Sequence, residues 1–210
     1  MPDSPPLATS VHDEGWRAWV YALVTHVEPA GEVAVAARAV LLAGLVAWSL
    51  RFFAHALDPV YLYGSFMHLV HLPFHEAGHI LFLPFGGFLM TLGGSLTQVL
   101  VPLVCLGTFL VKTRDTFGAA VALWWAGQSL MDVAPYIADA RALRIVLLGG
   151  RTGAEVEGHD WEAILSALGW LRYDILLGRL ANLLGIVLMI VALAWGASVV
   201  ARQRALAARS

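Results

Sequence analysis

Apolar residues dominate long parts of this chain, and short segments rich in charged residues, glycine and proline interrupt them. A helix needs about 20 mainly apolar residues to cross a bilayer. Five stretches reach this length, at residues 33–57, 60–83, 89–111, 117–140 and 175–200. The pattern therefore predicts an all-α fold, a polytopic transmembrane helix bundle with about five spans.

The residues before the first stretch have a different pattern. Residues 11–32 combine tryptophan and tyrosine with several acidic and basic side chains, which is typical of a helix lying at the membrane interface. We therefore divide the chain into an N-terminal interfacial segment (1–32), a single transmembrane bundle (33–200) and a basic C-terminal tail (201–210).

The composition supports a membrane protein. Hydrophobic residues make up 59% of the chain and charged residues only 13%, whereas soluble domains are about a quarter charged. We expect an integral, multi-pass protein of the bacterial inner (plasma) membrane, in contact with the lipid bilayer. The net charge of −2 indicates no nucleic-acid partner. Cys105 is the only cysteine, which excludes a disulfide framework and a thiolate metal site.

One short motif in the second apolar stretch points to metal chemistry. Residues 75–79 read His-Glu-Ala-Gly-His, and on a helix positions i and i+4 lie on one face about 6 Å apart. Both imidazoles can then bind one Zn²⁺, with Glu76 facing the water in an open position. A plain helix with polar side chains buried in a bundle is the alternative. Ionisable residues at membrane depth are costly, which favours a functional site.

The chain resembles the site-2 protease family of intramembrane zinc metalloproteases. His75, Glu76 and His79 match the family's His-Glu-x-x-His motif, and Gly78 is common before the second histidine. Residues 93–98 are similar to the Gly-Pro-x-x-Asn element of the family, with serine in place of proline and Gln98 in place of asparagine.

A later segment is similar to the element that carries the third metal ligand in that family. The family pattern is Asn-x-x-Pro-x-x-x-Leu-Asp-Gly, and residues 132–141 resemble it. Here the aspartate comes one residue early and the glycine is absent. The resemblance implies that Asp139 is the third ligand.

The resemblance also implies an activity. Zinc would be the cofactor, bound by His75, His79 and Asp139, and Glu76 would be the general base that takes a proton from water. The reaction would be hydrolysis of a peptide bond in or near the membrane, with a transmembrane protein as substrate. We consider two alternatives. One is a non-proteolytic membrane protein that keeps the fold and metal site as a structural or partner-binding element. The other is a histidine-ligated metal oxidoreductase.

Other residues compete with Asp139 for the third position. Asp132 lies seven residues earlier and is either a ligand or a group that orients a ligating histidine. Asp160 precedes an amphipathic segment and suits an N-cap, which we favour. His159 is a possible fourth ligand or proton relay.

The histidines before the motif form a stripe with it. His68 and His71 precede His75 by seven and four residues, so all lie near one helical face. Such a stripe suits a second metal, a di-iron centre or a haem ligand, or the polar lining of a path for water, which we favour. Pro73 is expected to kink this helix.

Topology predicts where these residues meet. If successive spans alternate in direction, the second and fourth spans end on the same membrane face. The loop that contains His159 and Asp160 lies on that face too. The candidate ligands are therefore expected to converge there, slightly below the membrane surface.

Overall fold

The computed structural model describes residues 11–208, with side chains from Gly15 onward. Within these residues the chain is helical, apart from turns, loops and one isolated bridge between Val146 and Thr152. The predicted all-α class is therefore confirmed. The helices are Val11–Thr25 (α1), Glu32–Ala54 (α2), Pro59–Tyr63 (α3), Phe66–Phe82 (α4), Gly87–Thr108 (α5), Thr116–Ala138 (α6), Asp160–Ala167 (α7) and Asp174–Ala207 (α8).

Three of the described helical segments are long and apolar enough to cross a membrane. They are Glu32–Ala54, Gly87–Thr113 and Leu171–Ala207. The second segment includes a π-helical turn at Phe109–Thr113, and the third begins with a short 3₁₀ turn. Two further predicted stretches are also helical. Of these, α4 has only 17 residues, and α6 has Gln128 and Asp132 among its buried residues.

Side-chain caps fix where the helices begin. The stretch predicted as one helix over residues 60–83 is divided at Gly64, because the Ser65 hydroxyl accepts the His68 N–H (3.2 Å) and starts α4 anew. Asp115 caps α6 by accepting the N–H groups of Phe117 and Gly118. Such caps satisfy backbone donors that the first turn leaves unpaired. After α4, the chain turns at Gly86, whose φ of 93° suits glycine.

Helix α6 lies at the centre of the bundle and packs most closely on α8. A Cβ placed on Gly127 of α6 would lie 2.7 Å from the Gly185 carbonyl oxygen of α8. This close approach of two backbones is typical of membrane helices that pack through small residues. The buried side chains around it include Met131 and Met189, and Phe52 of α2 belongs to the same core.

The first two predicted spans run in the same direction. The Arg38 guanidinium of α2 lies 3.4 Å from Asp115, and Ser49 accepts the Trp124 indole N–H at 2.7 Å. The residue numbers of α2 and α6 increase in the same direction from the first contact to the second, so α2 is parallel to α6. Helix α5 is antiparallel to α6, and α4 forms an antiparallel hairpin with α5. The expectation that successive spans alternate is therefore wrong for α2 and α4.

The cause of this arrangement is the segment between the two helices. Residues 55–65 double back along the bundle, and their buried Leu62 belongs to the core. From α4 onward the helices do alternate. The C-terminal ends of α4 and α6 therefore lie at the same end of the bundle, as expected.

The N-terminal helix lies at the opposite end. The carbonyl of His26, just after α1, accepts the Thr116 hydroxyl, and Val24 of α1 accepts the Trp195 indole N–H. Tyr21 is 69% exposed, which is compatible with the interfacial helix predicted for this segment. Helix α8 continues through Ala207, so the predicted tail is helical as far as it is described. Residues 1–10 and 209–210 of the predicted terminal segments lie outside the described residues.

Candidate metal centre

Glycines bring α4 and α5 into close contact at the His-Glu-Ala-Gly-His motif. A Cβ on Gly93 would lie 2.6 Å from the Gly78 carbonyl oxygen. One residue further along, a Cβ on Gly94 would lie 2.7 Å from His75 Nε2 and 2.6 Å from His79 Nε2. The imidazole rings therefore occupy space that any side chain at position 94 would fill.

Two histidines and one aspartate meet at this contact. Asp160 Oδ2 lies 3.1 Å from His75 Nε2 and 3.3 Å from His79 Nε2. One donor atom from each of the three residues falls within 4.8 Å of the others. Among the side chains that the structure describes, residues 15–208, this is the one group of three or more histidine, cysteine or acidic residues placed to hold a metal ion.

The second nitrogen of each histidine is held by an oxygen. His75 Nδ1 lies 3.1 Å from Gln98 Oε1, and His79 Nδ1 lies 2.9 Å from the Met90 carbonyl oxygen. Carbonyl oxygens can only accept hydrogen bonds, so each Nδ1 carries the proton. In the neutral form of each ring, the lone pair of Nε2 then points at Asp160, and this is the tautomer that a metal ligand requires.

Helix α7 delivers Asp160 to the site. The predicted cap role of Asp160 is filled by its neighbour instead: His159 Nδ1 accepts the Glu162 N–H at 3.2 Å. The Asp160 N–H donates to the Tyr136 hydroxyl at 3.0 Å. With the cap provided by His159, the Asp160 carboxylate is free to face the two histidines.

Asp139 does not lie with the histidines of the motif. It directly follows α6 as the C-cap of that helix, and its carboxylate accepts the Ile145 N–H at 2.8 Å. It also lies 3.5 Å from His159 Nε2. The structure thus places Asp160, in place of the predicted Asp139, beside His75 and His79. Asp139 holds the start of the loop and the imidazole that caps α7.

The histidine stripe divides into two groups. His75 and His79 face Asp160, whereas His68 Nδ1 lies 3.1 Å and His71 Nδ1 3.3 Å from the Asp132 carboxylate. Asp132 is therefore engaged with the upstream histidines and is not part of the three-residue group. The histidines therefore form two separate pairs, and each pair faces its own aspartate.

A cavity of about 490 Å³ opens beside the group of three residues. Polar side chains of α4 and α6 line one wall, and residues 145–149 and 156–158 of the long loop form the other. Glu76 lines the cavity and is exposed to it. In the described part of the chain no hydrogen bond holds its carboxylate, so Glu76 can exchange a proton with a molecule in the cavity.

The loop that covers the cavity is stabilised by its own turn. Glu155 accepts hydrogen bonds from the backbone N–H and the hydroxyl of Thr152. The backbone hydrogen bond is the main cause that lowers the pKa of the Glu155 carboxyl below its usual range. The Val146–Thr152 bridge holds the two arms of the loop together.

Some residues of the site could not be found from the sequence. The Met90 carbonyl is a backbone group and leaves no signal in residue identity. Gln98 was matched to the asparagine of a family element, but its contact with His75 depends on the α4–α5 register. His159 beside Asp160 was the usable signal, because two adjacent polar residues can divide the cap and the ligand roles. No protein-family model, curated protein or solved structure matches this chain.

Proposed function

We propose that this chain is an intramembrane metalloprotease-like enzyme that hydrolyses a peptide bond in or near the membrane. Zinc is its cofactor, bound by His75, His79 and Asp160, and Glu76 is the general base. The observation that carries the proposal is the convergence of three lone-pair donors on one point beside an open cavity.

The distances from Asp160 to the two imidazole nitrogens fit zinc. Tetrahedral bonds of about 2.0–2.1 Å separate neighbouring ligand atoms by about 3.3 Å. Asp160 Oδ2 lies 3.1 and 3.3 Å from the two imidazole nitrogens. Three acceptor atoms at such distances repel unless a cation or a proton lies between them, and a divalent cation satisfies all three.

The donor set indicates a catalytic site rather than a structural one. Structural zinc sites are usually closed by four protein ligands, whereas catalytic sites have three and keep one position open. Bound zinc supplies a Lewis acid that activates water and polarises a carbonyl group. Glu76 then accepts a proton on its free carboxylate and returns it to the amine that leaves.

The surroundings support a substrate that enters from the membrane. The cavity wall contains the apolar Leu72, Val133 and Ile145 beside the polar groups. An apolar segment of a transmembrane protein matches such a wall. We also propose that α4 and α6 lie in the same plasma membrane as the three apolar helices, because both pack lengthwise with them, and that residues 55–65 return through the bundle between the parallel α2 and α4.

Metal analysis of the purified protein tests the centre. Wild-type protein in detergent should contain close to one zinc per chain. His75→Ala and His79→Ala should each lower bound zinc about tenfold or more, since two ligands hold a divalent ion weakly. His55→Ala is the matched control, because this histidine lies at the end of α2 with its side chain 46% exposed. Full zinc content in a His75→Ala/His79→Ala variant would rule out the site.

A cleavage assay tests the reaction. Wild-type protein in liposomes should cleave members of a panel of single-span peptides, phenanthroline should stop cleavage, and added zinc should restore it. A protein that binds zinc at these residues and cleaves no member of the panel would support a structural or partner-binding role for the metal.

A further inference from the structure

A continuous row of polar side chains runs from α6 to the metal centre. The Trp125 indole nitrogen lies 3.0 Å from His71 Nε2, and His71 Nδ1 lies 3.3 Å from Asp132 Oδ2. Gln98 Nε2 lies 2.9 Å from the same Asp132 oxygen. The other end of that amide, Gln98 Oε1, lies 3.1 Å from His75 Nδ1. We call Trp125, His71, Asp132, Gln98 and His75 the polar row.

The chemistry of Trp125 and Asp132 fixes which atom donates in each hydrogen bond of the polar row. An indole N–H can only donate, so His71 Nε2 accepts and the proton of His71 lies on Nδ1. A carboxylate can only accept, so Asp132 accepts from the Gln98 amide NH₂ at 2.9 Å and from His68 Nδ1 at 3.1 Å. His71 Nδ1 lies 3.3 Å from the same carboxylate as an ion-pair contact without hydrogen-bond geometry. The Gln98 carbonyl oxygen must then face His75, and His75 Nδ1 must donate to it.

Burial makes this order costly to break. His71 is fully buried, and Asp132 and Gln98 are each 3% exposed. Reversing the Gln98 amide would set its oxygen against the Asp132 carboxylate, and buried polar groups without a partner are costly. The row therefore holds His75 in one tautomer and one ring orientation.

We propose that Gln98 and Asp132 are positioning residues of the metal centre, which act by fixing His75 with its Nε2 lone pair toward Asp160. This inference rests on the metal centre proposed above. Ligating histidines commonly donate their second N–H to an oxygen, and loss of that partner lowers metal affinity about 10–100-fold. In this chain the partner is an amide, whose orientation is set by the carboxylate behind it.

Gln98→Leu tests the proposal, with Gln128→Leu as a matched control. Gln128 is also a fully buried glutamine, but neither end of its amide has a hydrogen-bond partner among the described residues. Zinc affinity is measured by competition with a chelator, and the visible spectrum of Co²⁺-loaded protein reports the ligand geometry. Gln98→Leu should bind zinc about 10–100-fold more weakly and shift the Co²⁺ spectrum. Gln128→Leu should match the wild type in both.

An exchange of the two groups separates positioning from packing. Gln98→Glu alone breaks the order of donors and acceptors, because it sets a second buried carboxylate against Asp132, and it should weaken zinc binding. In Gln98→Glu/Asp132→Asn the new amide donates to the new carboxylate, which still accepts from His75. The double variant should therefore recover zinc affinity to within about threefold of the wild type.

Three outcomes decide the proposal. Wild-type zinc affinity in folded Gln98→Leu overturns it and leaves the metal centre intact. If Gln98→Leu does not fold, the exchange decides. A double variant that binds zinc as weakly as Gln98→Glu overturns the proposal. Absence of zinc binding in the wild-type protein overturns the metal centre and this inference together.

Discussion

Gly94 faces His79 with no space for a side chain between them: a Cβ at position 94 would lie 2.6 Å from His79 Nε2. His75 Nε2 lies almost as close to the same point. The Nε2 atoms of His75 and His79 thus rest against bare backbone of α5. The size of residue 94 controls the site, although this residue offers no ligand.

Gly94→Ala should abolish zinc binding while the protein stays folded. The added methyl group displaces both imidazoles, which are the ends of side chains and can move without unfolding the helices. We expect bound zinc to fall about tenfold or more, as with loss of a ligand, with a helical circular dichroism spectrum like that of the wild type.

Gly107→Ala is the control for this substitution. It lies in the same helix, and a Cβ there would meet nothing within 4 Å. Zinc binding and thermal stability should be those of the wild type or slightly better, since alanine favours helices. Normal zinc binding by Gly94→Ala would contradict the observed packing of the two rings.

Separate alanine substitutions of the two aspartates distinguish a metal ligand from a residue that supports the loop. Asp160→Ala should lower zinc affinity about tenfold or more. Asp139→Ala should leave the Ile145 N–H without its buried acceptor, which costs about 1–3 kcal/mol, and should change zinc affinity much less. Zinc affinity and hydrogen exchange of residues 143–158 measure the two effects. If Asp139→Ala loses more zinc than Asp160→Ala, Asp160 is not the third ligand.

Glu76→Gln should keep zinc and lose hydrolysis by about 10²–10⁴-fold, because the amide cannot accept the proton. Glu157→Gln is the matched control, since this exposed glutamate lines the same cavity from the loop. It should keep its zinc and its activity. A cellular complementation assay with Glu76→Gln adds a second measurement: full complementation would favour a non-proteolytic protein.

The sequence predicted the helices and the two histidines for different reasons. The apolar stretches alone placed α2, α4, α5, α6 and α8, because membrane helices must satisfy their own backbone groups. The spacing of His75 and His79 placed both rings on one face, as a local property of a helix. Neither prediction needed contacts between distant residues.

The third ligand could not be predicted in the same way. Asp139 and Asp160 lie at the two ends of the long loop between α6 and α7, and which one reaches the histidines depends on the path of that loop. A cap at position 160 was a reasonable local reading, since aspartate is a common N-cap. The structure uses His159 there, a residue type that is unusual as an N-cap, so the adjacent pair did not show which of its members forms the cap.

Stability should depend on the α6–α8 contact. Gly127→Ala places a methyl group 2.7 Å from the Gly185 carbonyl oxygen, and backbone cannot move aside as a side chain can. We expect a loss of about 1–3 kcal/mol, as for other overpacked sites. Gly44→Ala, where a Cβ would meet nothing within 4 Å, should not lower the melting temperature in detergent. Equal melting temperatures for both variants would contradict the close packing.

The parallel course of α2 and α4 limits how the bundle can be assembled during synthesis. Since these helices run in the same direction, an α4 that lies in the membrane as proposed above cannot insert as a hairpin with α2 and would insert with α5. Its histidines then meet lipid or water until α6 supplies Asp132, and buried polar groups in lipid are costly. A chain that ends before α6 should therefore expose residues 66–82 to cleavage by a soluble protease, whereas the full chain should protect them. The polar residues of the site thus make the protection of α4 depend on α6, which is synthesised later.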